Sequence, residues 1–138
     1  MINVVFRKCC EDLIEKVESV SPKTQIIMHG YGHTVPTGKA VSLFGFKFSG
    51  PWLKPALVSK RILDLTEQFS IVEHVINSYN EMLSQLDGAN ANFHHADLRS
   101  IIDPQNDWAN ELHLKNSAFA KSAELIQSKI EQIVNKHV

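Results

Sequence analysis

Only two stretches of this chain read as buried strands, and each follows an amphipathic helix. The runs Gln25–Met28 and Phe93–Leu98 are short, apolar and bounded by turn residues. Apolar residues at helical spacing predict helices over Phe6–Val17, Leu65–Leu86 and Phe119–Val134. The first helix is expected to end at Ser21-Pro22 and the second at Asp87-Gly88. This order of helix, strand, helix, strand and helix predicts an α/β fold with a small parallel sheet.

A sheet of two strands is too thin to stand alone, and the segment between the first strand and the second helix is the place to look for more. Five of the six glycines and three of the five prolines lie between residues 30 and 55. We interpret this segment as a long ordered loop with an extended piece at Val41–Phe48, where Phe44, Phe46 and Phe48 alternate. Either that piece adds a strand, or the chain is part of a larger assembly.

Composition limits the possible partners. With 138 residues, a net charge of −1, 43% hydrophobic and 21% charged residues, the chain reads as a single globular domain, 1–138. The near-neutral charge disfavours nucleic acid, and no apolar run is long enough for a membrane span. No signal peptide is visible, so the expected location is the cytoplasm. The adjacent Cys9 and Cys10 are expected to be reduced core residues on a helix.

The segment from Asp107 to Phe119 places a histidine, His113, just after the last strand and before the last helix. The active-site crevice of an open α/β sheet lies at that end. His113 is therefore a candidate general base, and an upstream side chain is expected to orient its ring. Asp107 is the candidate for that role, although a surface or helix-capping Asp is the alternative. Asn110 can also orient the ring, but it cannot stabilise an imidazolium as a carboxylate does.

The block Asn110-Glu111-Leu112-His113, with Asn116-Ser117-Ala118-Phe119 after it, resembles the last block of the SGNH (GDSL-type) esterase/lipase family, Asp-x-x-His followed by a helix entry. The stretches Ile26–Tyr31 with Val35-Pro36, Gly50–Pro55 and Asp97-Leu98-Arg99 are similar to one bacterial subgroup, in the same order. No Gly-Asp-Ser block is present, Asn106-Asp107 lacks the glycine of the family's Gly-x-Asn-Asp block, Asn110 stands in the Asp position and Leu114 replaces a proline. The chain therefore resembles the C-terminal half of such an enzyme.

The resemblance implies part of a flavodoxin-like three-layer α/β/α sandwich and a serine ester hydrolase that takes small-molecule esters. His113 is then the catalytic base, supported by Asp107 or Asn110, and Tyr31 and Trp52 are expected to contact substrate. Trp108 is interpreted as packing rather than substrate contact. No cofactor is expected, and the isolated chain is expected to be inactive because the nucleophile and oxyanion donors are missing.

Two alternatives remain at this stage. The first is a non-catalytic α/β module that self-associates through the edge of Gln25–Met28 and the Phe6–Val17 helix, which predicts a homo-oligomer. The second is a metal site formed by His29, His33, His113 and Asp107, which no ligand spacing supports. His94 and His95 are neighbours on a strand, so their side chains are expected to point to opposite faces.

Overall fold

The computed structural model describes residues 1–43 and 46–136, and the side chains of 42–48 lie outside that description. The described residues form a mixed α/β fold. The helices are α1 (Arg7–Val20), α2 (Leu53–Ser59), α3 (Leu65–Ala89) and α4 (Asn116–Lys136), and a π-helical segment, Ile2–Phe6, precedes α1. The strands are β1 (Ile26–His29), β2 (Val41–Leu43), β3 (Phe46–Ser49) and β4 (Phe93–Ala96).

The two strands predicted from apolar runs pair with each other in parallel. The register runs from Ile26 opposite Phe93 to His29 opposite Ala96. The first strand lies one residue further along the chain than predicted. The second ends at Ala96, because the chain turns where the Asp97 carboxylate accepts the backbone N–H of Arg99. The predicted α/β fold with a small parallel sheet is thus confirmed.

Helices cover both faces of this sheet. Ile26, Met28 and Phe93 pack with α1 and α3 in one core cluster. Strand alternation turns the intervening residues to the other face, where α4 contacts both strands. A second cluster packs there, around Leu98 and Trp108. Of the two cysteines, Cys10 lies in the first core as predicted, whereas Cys9 is exposed.

The extended piece predicted at Val41–Phe48 forms a hairpin. β2 and β3 pair antiparallel in a sheet of their own, so they do not add a strand to the β1–β4 sheet. Phe44 lies outside the described residues, as do the side chains of Phe46 and Phe48, so the predicted alternation is not described. In the described part of the chain, the parallel sheet therefore has two strands.

The end of α3 and the presence of α2 differ from the predictions. α3 begins after Asp64, whose side chain accepts the N–H of Glu67 at 2.9 Å, but it continues through Gly88 to Ala89. Gly88 is exposed near the end of α3, where its cost is the conformational freedom that a glycine loses in a helix. The Asp87 side chain accepts the N–H of His95 in β4 at 2.9 Å. α2 was not predicted, and it begins at Leu53, near the end of the predicted loop. Within the described residues, no helix has the length and apolar character needed to cross a bilayer.

Candidate functional site

The loop that carries His113 is closed by its own backbone. Trp108 and Leu114 form an antiparallel bridge, and the N–H of Ala109 donates to the carbonyl of His113 at 2.9 Å. At the tip, the Asn110 side-chain oxygen accepts the N–H groups of Leu112 and His113, each at 3.0 Å. Asn side chains commonly stabilise tight turns in this way. The loop therefore holds Asn110 and His113 in one fixed local geometry.

Asn110 also fixes the proton of the imidazole. Its Oδ1 lies 2.9 Å from Nδ1 of His113. Because this oxygen already accepts two backbone N–H groups, it is an acceptor here as well, and Nδ1 of the ring must donate. The neutral ring then carries its lone pair on Nε2. Asn110 is buried, whereas His113 is exposed, so Nε2 belongs to the accessible end of the pair.

Asp107 does not make the contact that the sequence analysis gave it. Its Oδ2 accepts the backbone N–H of Asp103 at 2.9 Å and the Nζ of Lys121 at 2.7 Å. The hydrogen bond from Lys121 lowers the pKa of this carboxyl group. The carboxylate thus ties the loop to α4, and the expected contact with the His113 ring is made by Asn110.

The structure brings Tyr31 and Trp52 to the same loop. The Tyr31 hydroxyl donates to the carbonyl of Leu112 at 2.9 Å, and burial raises its pKa. The Trp52 and His113 rings lie 5.6 Å apart between centroids. Trp108 is buried, stacks on Tyr31 and donates its indole N–H to the carbonyl of His33, as the packing interpretation requires.

A residue that the sequence analysis passed over, Glu111, holds Trp52 in place. Glu111 is fully buried, with 0% exposure. Its carboxylate accepts four backbone N–H groups, from Gly38, Trp52, Leu53 and Lys54, at 2.7 to 3.1 Å. A carboxylate can accept several such bonds, and here it joins the loop before β2 to the start of α2. No pattern in the sequence singles Glu111 out, because its partners lie far from it along the chain.

One glycine is required by the approach of Trp52. Gly50 has a φ of +78°, a left-handed conformation that favours glycine. A Cβ atom at this position would lie 2.7 Å from the Trp52 ring, which is shorter than real contacts allow. Gly50 and Glu111 together therefore determine where the indole ring lies.

A second histidine reaches the cavity beside His113. This cavity of about 290 Å³ lies at the carboxyl end of β1 and is lined by both His29 and His113. Nδ1 of His29 lies 2.8 Å from the carbonyl oxygen of Gly30, so Nδ1 donates and Nε2 keeps the lone pair. Among the described residues that line the cavity, there is no serine, threonine or cysteine.

The other histidines have different surroundings. His33 contacts Asn77 at 2.9 Å, so it does not join His29, His113 and Asp107 in one cluster. The described residues contain no group of three or more His, Cys, Asp or Glu side chains placed to hold a metal ion. His94 contacts Gln25, and His95 contacts the α3 residue Asn80.

The site therefore consists of an oriented, accessible imidazole, an aromatic ring packed beside it, and a buried carboxylate that fixes the surrounding backbone. Comparison of the chain with protein-family models, with curated proteins and with solved structures finds no match. An imidazole with Nδ1 held and Nε2 available is suited to accept a proton from a neighbouring hydroxyl group.

Proposed function

We propose that this chain supplies the histidine of an SGNH-type serine ester hydrolase, with His113 as the general base. The observation that supports this most is the bond from Nδ1 of His113 to Asn110, at 2.9 Å, which leaves Nε2 as the accepting nitrogen. In hydrolytic triads the base is held in the same way, by a partner on its other nitrogen. We also propose that the chain forms part of a flavodoxin-like three-layer α/β/α sandwich.

In the proposed reaction, a serine on a separate segment that carries the Gly-Asp-Ser block attacks the carbonyl carbon of a small-molecule ester. Nε2 of His113 takes the serine proton as the new C–O bond forms, and then gives it to the departing alcohol oxygen. A water molecule releases the acyl group in the same way, and its proton passes through Nε2. Throughout, the Nδ1 proton stays hydrogen-bonded to Asn110.

Asn110 sets the limits of this chemistry. As a neutral acceptor it orients the ring, but it offers less stabilisation to the imidazolium than the Asp that the resembling family places there. Tyr31 and Trp52, which both contact the loop of His113, are the proposed substrate contacts. Their role is to bind and orient the ester next to Nε2.

The test begins with the DNA upstream of the coding sequence. If it encodes a Gly-Asp-Ser block in frame, that segment is co-expressed with this chain, and the complex is treated with a fluorophosphonate probe. We expect labelling of the serine, and a loss of at least about 100-fold in labelling rate for His113→Gln. His74→Gln, which changes an exposed histidine on α3, is the matched control. Absence of such a block, or labelling that survives His113→Gln, would refute the proposal.

The second candidate is a self-associating module without catalysis. It is favoured by the open outer edge of β1 in the parallel sheet. The N–H groups of Ile26 and Gly30 bond toward β4, so those of Ile27 and His29 point away from it. In the described residues, these two outward N–H groups have no hydrogen-bond acceptor. The outer edge of β4 is closed instead, because Asp87 accepts the N–H of His95.

An open edge of this kind pairs readily with another strand. Antiparallel pairing of β1 with β1 of a second copy, Ile27 opposite His29, satisfies the outward groups of both strands. The π-helical segment beside α1 adds exposed apolar side chains that such a contact can cover: Met1, Val4, Val5 and Phe6. This candidate predicts a homodimer in which β1 lies at the interface.

A further inference from the structure

An apolar cavity of about 250 Å³ lies between α2 and α3, and Tyr31 lines both this cavity and the one that contains His29. α2 contributes Ala56 and Leu57 to its walls, and α3 contributes Ile71 and Val75. A cavity lined in this way offers dispersion contacts and little else.

The two hydroxyl groups on the wall are already engaged. The Thr34 hydroxyl donates to the carbonyl of Glu111 at 3.2 Å, and the Tyr31 hydroxyl donates to the carbonyl of Leu112 at 2.9 Å. A polar ligand group that entered the cavity would lose its hydrogen bonds to water and find neither of these protons in exchange. The chemistry of the wall therefore favours a hydrocarbon.

The position of the cavity indicates which end of a ligand enters it. Trp52 lines the cavity and also packs against the His113 ring, with 5.6 Å between centroids. Tyr31 and Leu112 border both this cavity and the one that contains His113. The apolar cavity therefore adjoins the site of His113.

We propose that the cavity between α2 and α3 binds the hydrocarbon chain of a medium-chain acyl group, with the carboxyl or ester end at His113. An apolar cavity of about 150 Å³ is large enough for benzene. At about 250 Å³, this one suits a chain of roughly six to eight carbons. The hydrocarbon site rests on the cavity itself, whereas its assignment as an acyl site rests on the proposed function.

Titration calorimetry with a series of alkanoates on the full chain tests the site directly. From butanoate to octanoate, we expect the Kd to fall about fourfold for each added methylene, and to stop falling within about two carbons beyond octanoate. Ala56→Phe, which places a ring in the cavity, is expected to weaken octanoate binding at least tenfold. Val58→Phe is the matched control, because Val58 is exposed on the same helix and is not among the residues lining the cavity.

The location is checked by fluorescence. 8-Bromooctanoate is expected to quench tryptophan emission in the wild type and much less in Trp52→Phe, since Trp52 lines the cavity. Val75→Trp, which fills the cavity from α3, provides a second blocking variant, and thermal melts by circular dichroism confirm that each variant is folded. Absence of saturable octanoate binding, a Kd independent of chain length, or equal binding by Ala56→Phe and Val58→Phe would overturn the proposal.

These measurements are independent of the nucleophile. Octanoate binding needs no serine and no second segment, so a failure of the fluorophosphonate test leaves the hydrocarbon site in place and removes only its acyl assignment. Failure of octanoate to bind, in turn, leaves the role of His113 to be decided by its own test.

Discussion

Replacing Glu111 by Gln tests how the candidate site is held together. Oε1 of Glu111 accepts the N–H groups of Gly38 and Lys54, and Oε2 accepts those of Trp52 and Leu53. Gln has nearly the same shape, but one of its terminal groups is an NH₂ donor. Two of the four backbone N–H groups then face a donor, and the remaining two bond to a neutral oxygen.

The expected cost follows from this count. Hydrogen bonds to a charged group contribute about 1.5 to 3 kcal/mol each, and a buried donor without a partner costs about 1 to 3 kcal/mol. Losing two such bonds in a fully buried position should lower the free energy of unfolding by about 3 to 5 kcal/mol. For a chain of this length, that corresponds to a fall in Tm of about 10 to 15 °C.

Urea and thermal unfolding followed by circular dichroism measure this loss. Glu124→Gln is the control, because Glu124 is exposed on α4 and its replacement is expected to change stability by no more than about 0.5 kcal/mol. Hydrogen exchange should also accelerate at the two amides that then face the NH₂ group, which are those of Trp52 and Leu53 or those of Gly38 and Lys54. If Glu111→Gln loses less than about 1 kcal/mol, the carboxylate does not hold this loop.

Three further predictions follow from other parts of the chain. Burial lowers the pKa of His95 despite the opposing effect of Asp97 and Asp87, so the unfolded chain takes up the proton at a higher pH than the folded chain. The free energy of unfolding should therefore fall as pH drops below about 6.5, and urea titrations at pH 7.5 and 5.5 should show a smaller fall for His95→Gln than for the wild type. The isolated chain should neither hydrolyse p-nitrophenyl acetate above background nor react with a fluorophosphonate; clear turnover with covalent labelling contradicts this. Light scattering at micromolar concentration should show a dimer or larger assembly, and His29→Pro, which removes an outward N–H from β1, should weaken it; a sharply melting wild-type monomer sinks this idea.

The sequence predicted the parts of the fold whose signal is local. α1, α3, α4 and the paired strands all appear close to their predicted positions, because hydrophobic periodicity reports which face of an element is buried. α2 could not be predicted in this way. It has seven residues in a segment rich in glycine and proline, and Glu111, 58 residues later, accepts the N–H of Leu53 at its start. An acceptor so distant in the chain leaves no periodic pattern.

The same distinction applies to the candidate site. Asn110 and His113 are three residues apart, and their contact is a local turn that the spacing allows one to anticipate. Asp107 was expected to compete for the ring, but its carboxylate is engaged by Lys121, fourteen residues later on α4. Which of two nearby acceptors orients a histidine depends on such long-range partners. The sequence therefore narrowed the choice to two residues without deciding between them.

In the part of the chain that the structure describes, Asn side chains contact the rings of His33, His95 and His113. Two of these pairs, Asn80 with His95 and Asn110 with His113, differ in a way that indicates where chemistry is possible. In the first, Nδ2 of Asn80 donates to the carbonyls of Tyr31 and Ile76, so its Oδ1 accepts from Nε2 of His95 at 3.1 Å. A Cβ atom at Gly30 would overlap this Oδ1, so the chain closes over the pair and both side chains are buried.

The pair of Asn110 and His113 has the opposite arrangement. The bond to Asn110 uses Nδ1, and the ring itself is exposed, so Nε2 is the nitrogen left to exchange a proton with an incoming group. Burial lowers the pKa of His95 and favours its neutral form as a structural element. Two chemically identical pairs thus differ in which nitrogen is held and in whether solvent reaches the ring. On that physical ground, His113 is the histidine on which a proposal of catalysis can rest.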